Sequence, residues 1–272
     1  MSETPQTTDA ATSDADLLTQ TTFAVRAAGS ALRERFGEVT PYRTRDELMR
    51  ALAANDDTAL AILRPTLTEL RPQAGWVEEE LDGGALPPGE WWVVDPAEGN
   101  VNHLHALPEW AVTATLVRDN QPVLTAVHLP LTGETYTALT GAGAHLDGRP
   151  LHVSRTTDLG LSIVATSQAR PDEDEEVVRR VGSAITAMLF DALVVRTAVP
   201  ATLHLVNVAA GRTEAFWQFA GARADLLPGA LLVTEAGGRI SDAQGRPWTP
   251  QSGSFLAAAP GIHAEAASTL SR

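Results

Sequence analysis

Trp92-Val93-Val94-Asp95-Pro96-Ala97-Glu98-Gly99-Asn100-Val101-Asn102 passes from an apolar run to a polar loop within four residues. A run as short as Trp92 to Val94 that stops abruptly reads as the end of a buried strand. Asp95-Pro96 then predicts a turn, because proline has no amide proton for a ladder. Gly99 permits backbone geometry closed to other residues. Asp95 and Glu98 thus stand three residues apart at the rim of a strand, which holds them, beside a loop open to a ligand. Two hard oxygen ligands this close suit Mg²⁺, which takes a few carboxylates plus water and substrate phosphate. The alternative is a plain strand-end turn, since Asp-Pro followed by Glu-Gly also occurs where nothing binds.

The 272 residues provide for one large domain or two small ones, and the 44% apolar content indicates a globular chain. No apolar run approaches the roughly 20 residues of a membrane span. The first fifteen residues are polar and acidic, unlike a signal peptide, and are expected to form a disordered tail. Residues 16–272 are expected to form one domain, with an N-terminal half, 16–155, carrying an antiparallel sheet and the metal site, and an α/β half, 156–272. Absence of cysteine excludes disulfides and thiolate metal sites. The expected location is the cytoplasm. The formal net charge of −14 argues against a nucleic-acid partner, which needs a cationic footprint. It also repels anionic substrates at long range, so a phosphate-handling site would need local cations.

Residues 16–36 repeat apolar positions at helical spacing, with Gly37 as a stop. Residues 45–71 read as one or two helices, interrupted at Asn55-Asp56-Asp57-Thr58, which could start the second. Trp110–Val117, Pro122–Leu129 and Glu134–Leu139 read as strands of antiparallel hairpins. Gly141 to Gly148 makes another hairpin-like turn. From Leu161 the pattern becomes α/β, with strands at 161–166, 192–197, 213–219 and 255–258. Helices are expected at 174–189, 201–210, 226–236 and 262–270, the third closed by Gly237-Gly238. Strands first and alternating elements later predict a mixed, layered α/β body.

With these segments in place the chain resembles the inositol monophosphatase family. Residues 92–102 are similar to its motif W-hydrophobic-hydrophobic-D-P-x-D-G-T-x-N, differing at two positions. Ala224 to Gly238 resembles W-D-x-A-A-G-x-L-L-V-x-E-A-G-G, and GAGAHLDGRPLHVS at 141–154 resembles G-x-G-A-x-x-N-G-x-x-L-x-V-S. The resemblance spans roughly Thr22 to Leu270. It implies an α/β fold, the αβαβα sandwich of inositol monophosphatases and fructose-1,6-bisphosphatases, and Mg²⁺-dependent, Li⁺-sensitive phosphomonoester hydrolysis.

Carried over residue by residue, the resemblance implies metal ligands at Glu79, Asp95, Glu98 and Asp225 and at the carbonyl of Ala97. It implies catalytic, water-orienting roles for Glu79, Asn100 and Asp56. It implies substrate contacts at Glu98, Gly99, Asn100, Gln218 and Asp225. Two departures stand out. Glu98 replaces an aspartate and is longer by about 1.5 Å, while Mg²⁺ demands near-octahedral geometry at roughly 2.0–2.1 Å. Asn100 replaces a threonine, exchanging a hydroxyl for a larger planar amide. The small-residue substrate loop has become Val199-Pro200-Ala201-Thr202, the segment leading to Asp56 is strongly altered, and Ala224 stands where the family has tryptophan.

Plainer readings accompany these assignments. Glu78 to Glu80 could be a solvated acidic patch, Asp225 and Asp56 helix caps, and His103 and His105 packing or solvent-facing residues. Two functions follow. The first is a working phosphatase with two or three Mg²⁺ ions, acting on an inositol phosphate, sugar phosphate or nucleotide 3′-phosphate. The second is a repurposed scaffold with hydrolysis lost and no metal, serving as a subunit in a complex. The expected partners are a small phosphorylated or anionic metabolite and a second copy in a homodimer, or a different chain in a hetero-oligomer.

Overall fold

In the computed structural model, which describes residues 13–37, 41–77, 85–168, 173–219 and 223–272, two long helices open the chain. Helix α1 spans Asp14–Glu34 and is capped by Ser13, whose hydroxyl accepts from Asp16 N. Helix α2 spans Arg45–Leu70 without a break. Its cap is Thr44, whose Oγ1 accepts from Glu47 N, while the Glu47 carboxylate accepts from Arg43 N. The predicted interruption at Asn55 to Thr58 is therefore corrected. These polar residues sit in mid-helix because Asn55 and Asp56 find partners across the packed interior. Asp56 is no cap.

Strands β1 (Gly75–Trp76), β2 (Glu90–Glu98), β3 (Ala111–Arg118), β4 (Gln121–His128), β5 (Thr135–Leu139), β6 (Gly143–Leu146) and β7 (Arg149–Pro150) form a seven-stranded sheet in sequence order. It is antiparallel from β2 onward, as the hairpin spacing predicts. The short helix α3 (Asn100–Leu104) follows β2 directly. A second sheet combines β8 (Ile163–Thr166), β9 (Val194–Thr197), β10 (Ala215–Phe219), β11 (Arg239–Ser241) and β12 (Ser254–Ala258), in the order β11-β12-β10-β8-β9. The remaining helices are α4 (Glu175–Asp191), α5 (Ala201–Ala209), α6 (Arg223–Glu235) and α7 (His263–Leu270).

Five layers result. Helices α1 and α2 cover one face of the first sheet, α5 and α6 lie between the sheets, and α4 and α7 cover the far face of the second. This is the predicted αβαβα architecture. Coverage on both faces explains why β3 is buried over seven consecutive residues, Thr113 and Thr115 included. Trp92, Trp110 and Trp217 are among the largest fully buried side chains. Burying a large apolar side chain stabilises the fold by roughly 1.5–3 kcal/mol. In the middle layer a Cβ on Gly229 would come within 2.3 Å of Leu205, so α5 and α6 approach closely only because α6 carries glycine there. No described helix is long and apolar enough to cross a membrane.

The three sequence motifs meet in this framework. Glu235, near the C-terminal end of α6, accepts from Gly141 N and Gly143 N, both at 2.9 Å, and so clamps the β5–β6 turn. Gly237 takes φ +86°, and Gly238 N returns to Val233 O, ending α6 as predicted. The sequence carries no periodic signal for β1, α3 or β11, which span two, five and three residues.

Candidate metal centre

Strand β2 does not end at Asp95-Pro96, which corrects the predicted turn. It continues to Glu98, and its pairing with β3 jumps from Asp95↔Thr113 to Glu98↔Ala111. Pro96 and Ala97 together oppose Val112 in a β-bulge, where the missing proline N–H breaks no ladder bond. Ala97 N donates to Asp95 Oδ1 at 3.0 Å, which fixes the aspartate side chain across the bulge. The bulge sets Asp95 and Glu98 in the interior, 8% and 3% exposed.

Gly99 then turns the chain with φ +81° into α3. A Cβ there would stand 2.6 Å from Glu109 O and 3.1 Å from Pro200, so both conformation and space require glycine. Asn102 holds this corner closed, donating from Nδ2 to Glu109 O and to Val199 O, both at 2.8 Å. The bond to Val199 O ties the loop that leads into α5 to the motif. The Thr202 hydroxyl, in the first turn of α5, lies 3.1 Å from Glu98 Oε2 and 2.9 Å from the Asp225 carbonyl oxygen. It bridges β2 to the start of α6.

Asp225 lies in the first turn of α6, where the helix dipole favours a carboxylate. One oxygen each from Asp95, Glu98 and Asp225 lie within 4.8 Å of one another. Three carboxylates grouped this tightly, two of them buried, repel strongly in a chain already at −14. A hard divalent cation removes that penalty, and oxygen donors are what such a cation prefers. The residues present therefore fit a cation of this class. Glu79, expected to complete the set and to orient water, lies outside the described residues, as do Glu78 and Glu80.

Beside the carboxylates, Asn100 is held by three bonds. Its Nδ2 donates to Asp56 Oδ1 at 2.8 Å and to Leu52 O at 3.0 Å, and its Oδ1 accepts from Asn55 Nδ2 at 2.8 Å. Asp56, which ends a strongly altered segment in sequence, is thus brought onto Asn100. Burial pushes its carboxyl up to about 6, with Asp57 adding to the rise and the Asn100 hydrogen bond opposing it.

His103 is a packed residue, as its plainer reading has it. Its ring stands 4.7 Å from Trp110 and 5.5 Å from Phe36, and burial lowers its pKa. His105 is exposed, edge-on to Tyr42. Gln218 lies on β10, where its Oε1 accepts from Ser167 Oγ at 2.7 Å. Sequence reasoning missed Asn55, Asn102 and Thr202. Asn102 was within reach as the closing residue of the quoted motif, whereas Asn55 and Thr202 acquire their roles only through contacts across more than forty residues.

A family model described as the inositol monophosphatase family matches residues 14–272. The chain is 32% identical over 242 residues to the inositol-1-monophosphatase of Rhizobium meliloti, covering 86% of this chain and 88% of that protein. It is 33% identical over 195 residues to the Nus factor SuhB of Pseudomonas aeruginosa, covering 71% and 70%. The crystal structure of the extragenic suppressor protein suhB from Bartonella henselae superimposes with a TM-score of 0.81 at 25% identity, covering 94% of this chain and 99% of that one. A five-layer fold, a carboxylate cluster on a bulged Asp-Pro strand and a match over nearly the whole chain agree, and the protein belongs to the inositol monophosphatase family.

Proposed function

We propose that the protein is a Mg²⁺-dependent phosphomonoester hydrolase acting on a small phosphorylated metabolite. The observation that carries this reading is the group of Asp95, Glu98 and Asp225, with oxygens within 4.8 Å and two members buried. These residues would hold the cation, with Glu79 and the Ala97 carbonyl as further proposed ligands. A cation held there supplies positive charge that polarises a phosphoryl oxygen and acidifies water.

The chain's own residues do the rest. Both Nδ2 hydrogens of Asn100 are engaged by Leu52 O and Asp56, and its Oδ1 keeps one lone pair beyond the bond from Asn55. Asn100 can therefore hold a water only by accepting from it. That is the polarity an attacking water needs. An amide cannot keep a proton, so Asp56 is the group proposed to take it up. Glu98, Gly99, Asn100, Gln218 and Asp225 are the proposed substrate contacts.

Calorimetric titration of the metal-free protein with Mg²⁺, with and without inorganic phosphate, tests the reading alongside a phosphate-release screen. The expected result is millimolar or tighter binding that phosphate strengthens, and turnover of at least one phosphate ester. Absence of Mg²⁺ binding would overturn it.

One surface feature favours assembly as well. Leu161, Leu189, Phe190, Leu193 and Val194 are all exposed, Phe190 at 85%. They lie together, because Leu193 N bonds Ser162 O and β9 is the edge of its sheet. Exposed apolar side chains beside the open side of an edge strand make an interaction surface. Its proposed occupant is a second copy of the chain, since an edge strand can pair with itself about a two-fold axis. Phe190→Glu is expected to convert a dimer to a monomer in sedimentation velocity. A wild-type monomer would leave the face to a different chain, as the scaffold function requires.

A further inference from the structure

Asn55 is 1% exposed in the middle of α2, and every hydrogen-bonding group of its side chain is engaged. Its Oδ1 accepts from Arg35 Nε at 3.0 Å. Its Nδ2 gives one hydrogen to Asn100 Oδ1 at 2.8 Å and the other to His103 Nδ1 at 3.0 Å.

The direction of these bonds is forced. Leu32 O can only accept, so His103 Nε2, 2.9 Å away, carries the ring hydrogen and Nδ1 is the acceptor. Arg35 can only donate, so the Asn55 oxygen faces Arg35 and its nitrogen faces His103 and Asn100. At the far end Leu52 O and the Asp56 carboxylate accept from Asn100, so its nitrogen faces them. Neither amide can flip without facing like groups.

A one-way chain results. Arg35 donates to Asn55, Asn55 to Asn100, and Asn100 to Asp56. Each link polarises the next, and the series begins at a cation and ends at a carboxylate. We propose that Asn55 is a positioning residue, the central link of an amide relay that couples Arg35 at the end of α1 to Asp56 and favours Asp56 as an ionised proton acceptor. Its use in turnover rests on the phosphatase reading, whereas the relay itself does not.

Among the described residues, the charged and titratable groups around Asp56 are these. Asp57 on α2 opposes ionisation. Burial lowers the pKa of His103 on α3, with Arg35 adding to the fall. Asp95 and Glu98, of like sign to Asp56, lie on β2, which packs against α2. Among the described residues, Arg35 is the cation joined to Asp56, through the two amides.

The test is a titration of the Asp56 side-chain carboxyl by carbon-13 NMR in the metal-free full chain. Three proteins are compared, wild type, Asn55→Leu and Arg35→Gln, each in low salt and in about 0.5 M NaCl. Asn55→Leu is expected to move the Asp56 midpoint upward by about one pH unit. Arg35→Gln, a substitution at an exposed position that folds readily, is expected to move it less in the same direction. Both shifts persist in high salt, because a hydrogen-bonded relay is not screened as an open charge is. An unmoved midpoint in both variants, or a shift that salt erases, would overturn the relay. If the wild type turns over phosphate esters, the acid limb of its pH profile moves with the NMR midpoint in Asn55→Leu, and a limb that stays in place would sink the coupling. If the wild type hydrolyses nothing, the phosphatase reading fails and the carboxyl titration still decides the relay.

Discussion

Asp95→Asn is expected to stabilise the metal-free protein while abolishing its response to Mg²⁺. The three carboxylates of Asp95, Glu98 and Asp225 lie within 4.8 Å. At an effective dielectric near 20, a like pair at that separation costs about 3 kcal/mol. Removing one charge while keeping an oxygen for Ala97 N should return on the order of 1–3 kcal/mol. The melting temperature of the metal-free variant should therefore exceed that of the wild type. Mg²⁺ should have the opposite effect on the pair. At about tenfold over its dissociation constant, it stabilises the wild type by about 1.4 kcal/mol, or roughly 3–6 °C, and leaves the variant unchanged. Turnover should fall by at least about 10³-fold, since the cation contributes several kcal/mol of charge stabilisation and each 1.4 kcal/mol is tenfold. Scanning calorimetry with and without Mg²⁺ reads the first two effects. A variant that still gains stability from Mg²⁺ would remove Asp95 from the ligand set.

Asp56 has a pH signature of definite sign. Its carboxyl rises from 3.8 to about 6, chiefly through burial. A folded-state value above the unfolded one favours the protonated form in the fold. The stabilisation it gives is complete below about pH 4 and is lost as pH rises through about 6. In a dry site that difference would amount to about 3 kcal/mol. Asp56 is only half-buried, and screening reduces it to ~1–2 kcal/mol. Asp56→Asn keeps an acceptor for Asn100 and removes the titration. The variant should be more stable than wild type by that amount at pH 7.5 and no more stable at pH 4, in urea melts across the range. Activity should move the other way, because the ionised carboxylate is the proposed proton acceptor. Wild-type kcat should rise along an acid limb centred near pH 6. The variant should lose this limb and about 10²-fold in kcat. Parallel stability profiles in the two proteins would contradict the assignment.

The layered architecture was legible because its determinants are local. Apolar periodicity placed nearly every long helix and strand, and the glycines at 237 and 238 marked the end of α6. The motif residues Asp95 and Glu98 were legible for the same reason, being three apart on one strand. Two local readings failed because tertiary contacts outweighed them. Pro96 looked like a strand terminator, but the β3 ladder accommodates it in a bulge. Asn55 to Thr58 looked like a helix start, but α2 continues because partners on α1 and α3 satisfy Asn55 and Asp56 there.

The sequence by itself determined the family, through short motifs whose spacing survives in the chain, and the resemblance then implied the layer order and a set of candidate carboxylates. The tertiary structure alone decided how the site is wired. Asp225 joins Asp95 and Glu98 across more than a hundred residues of chain. Thr202 bridges Glu98 to α6, and Asn55 and Asn100 link Arg35 to Asp56. No propensity or spacing encodes which way an amide faces. That is set by the fixed donors and acceptors packed around it, and these come together only in the fold.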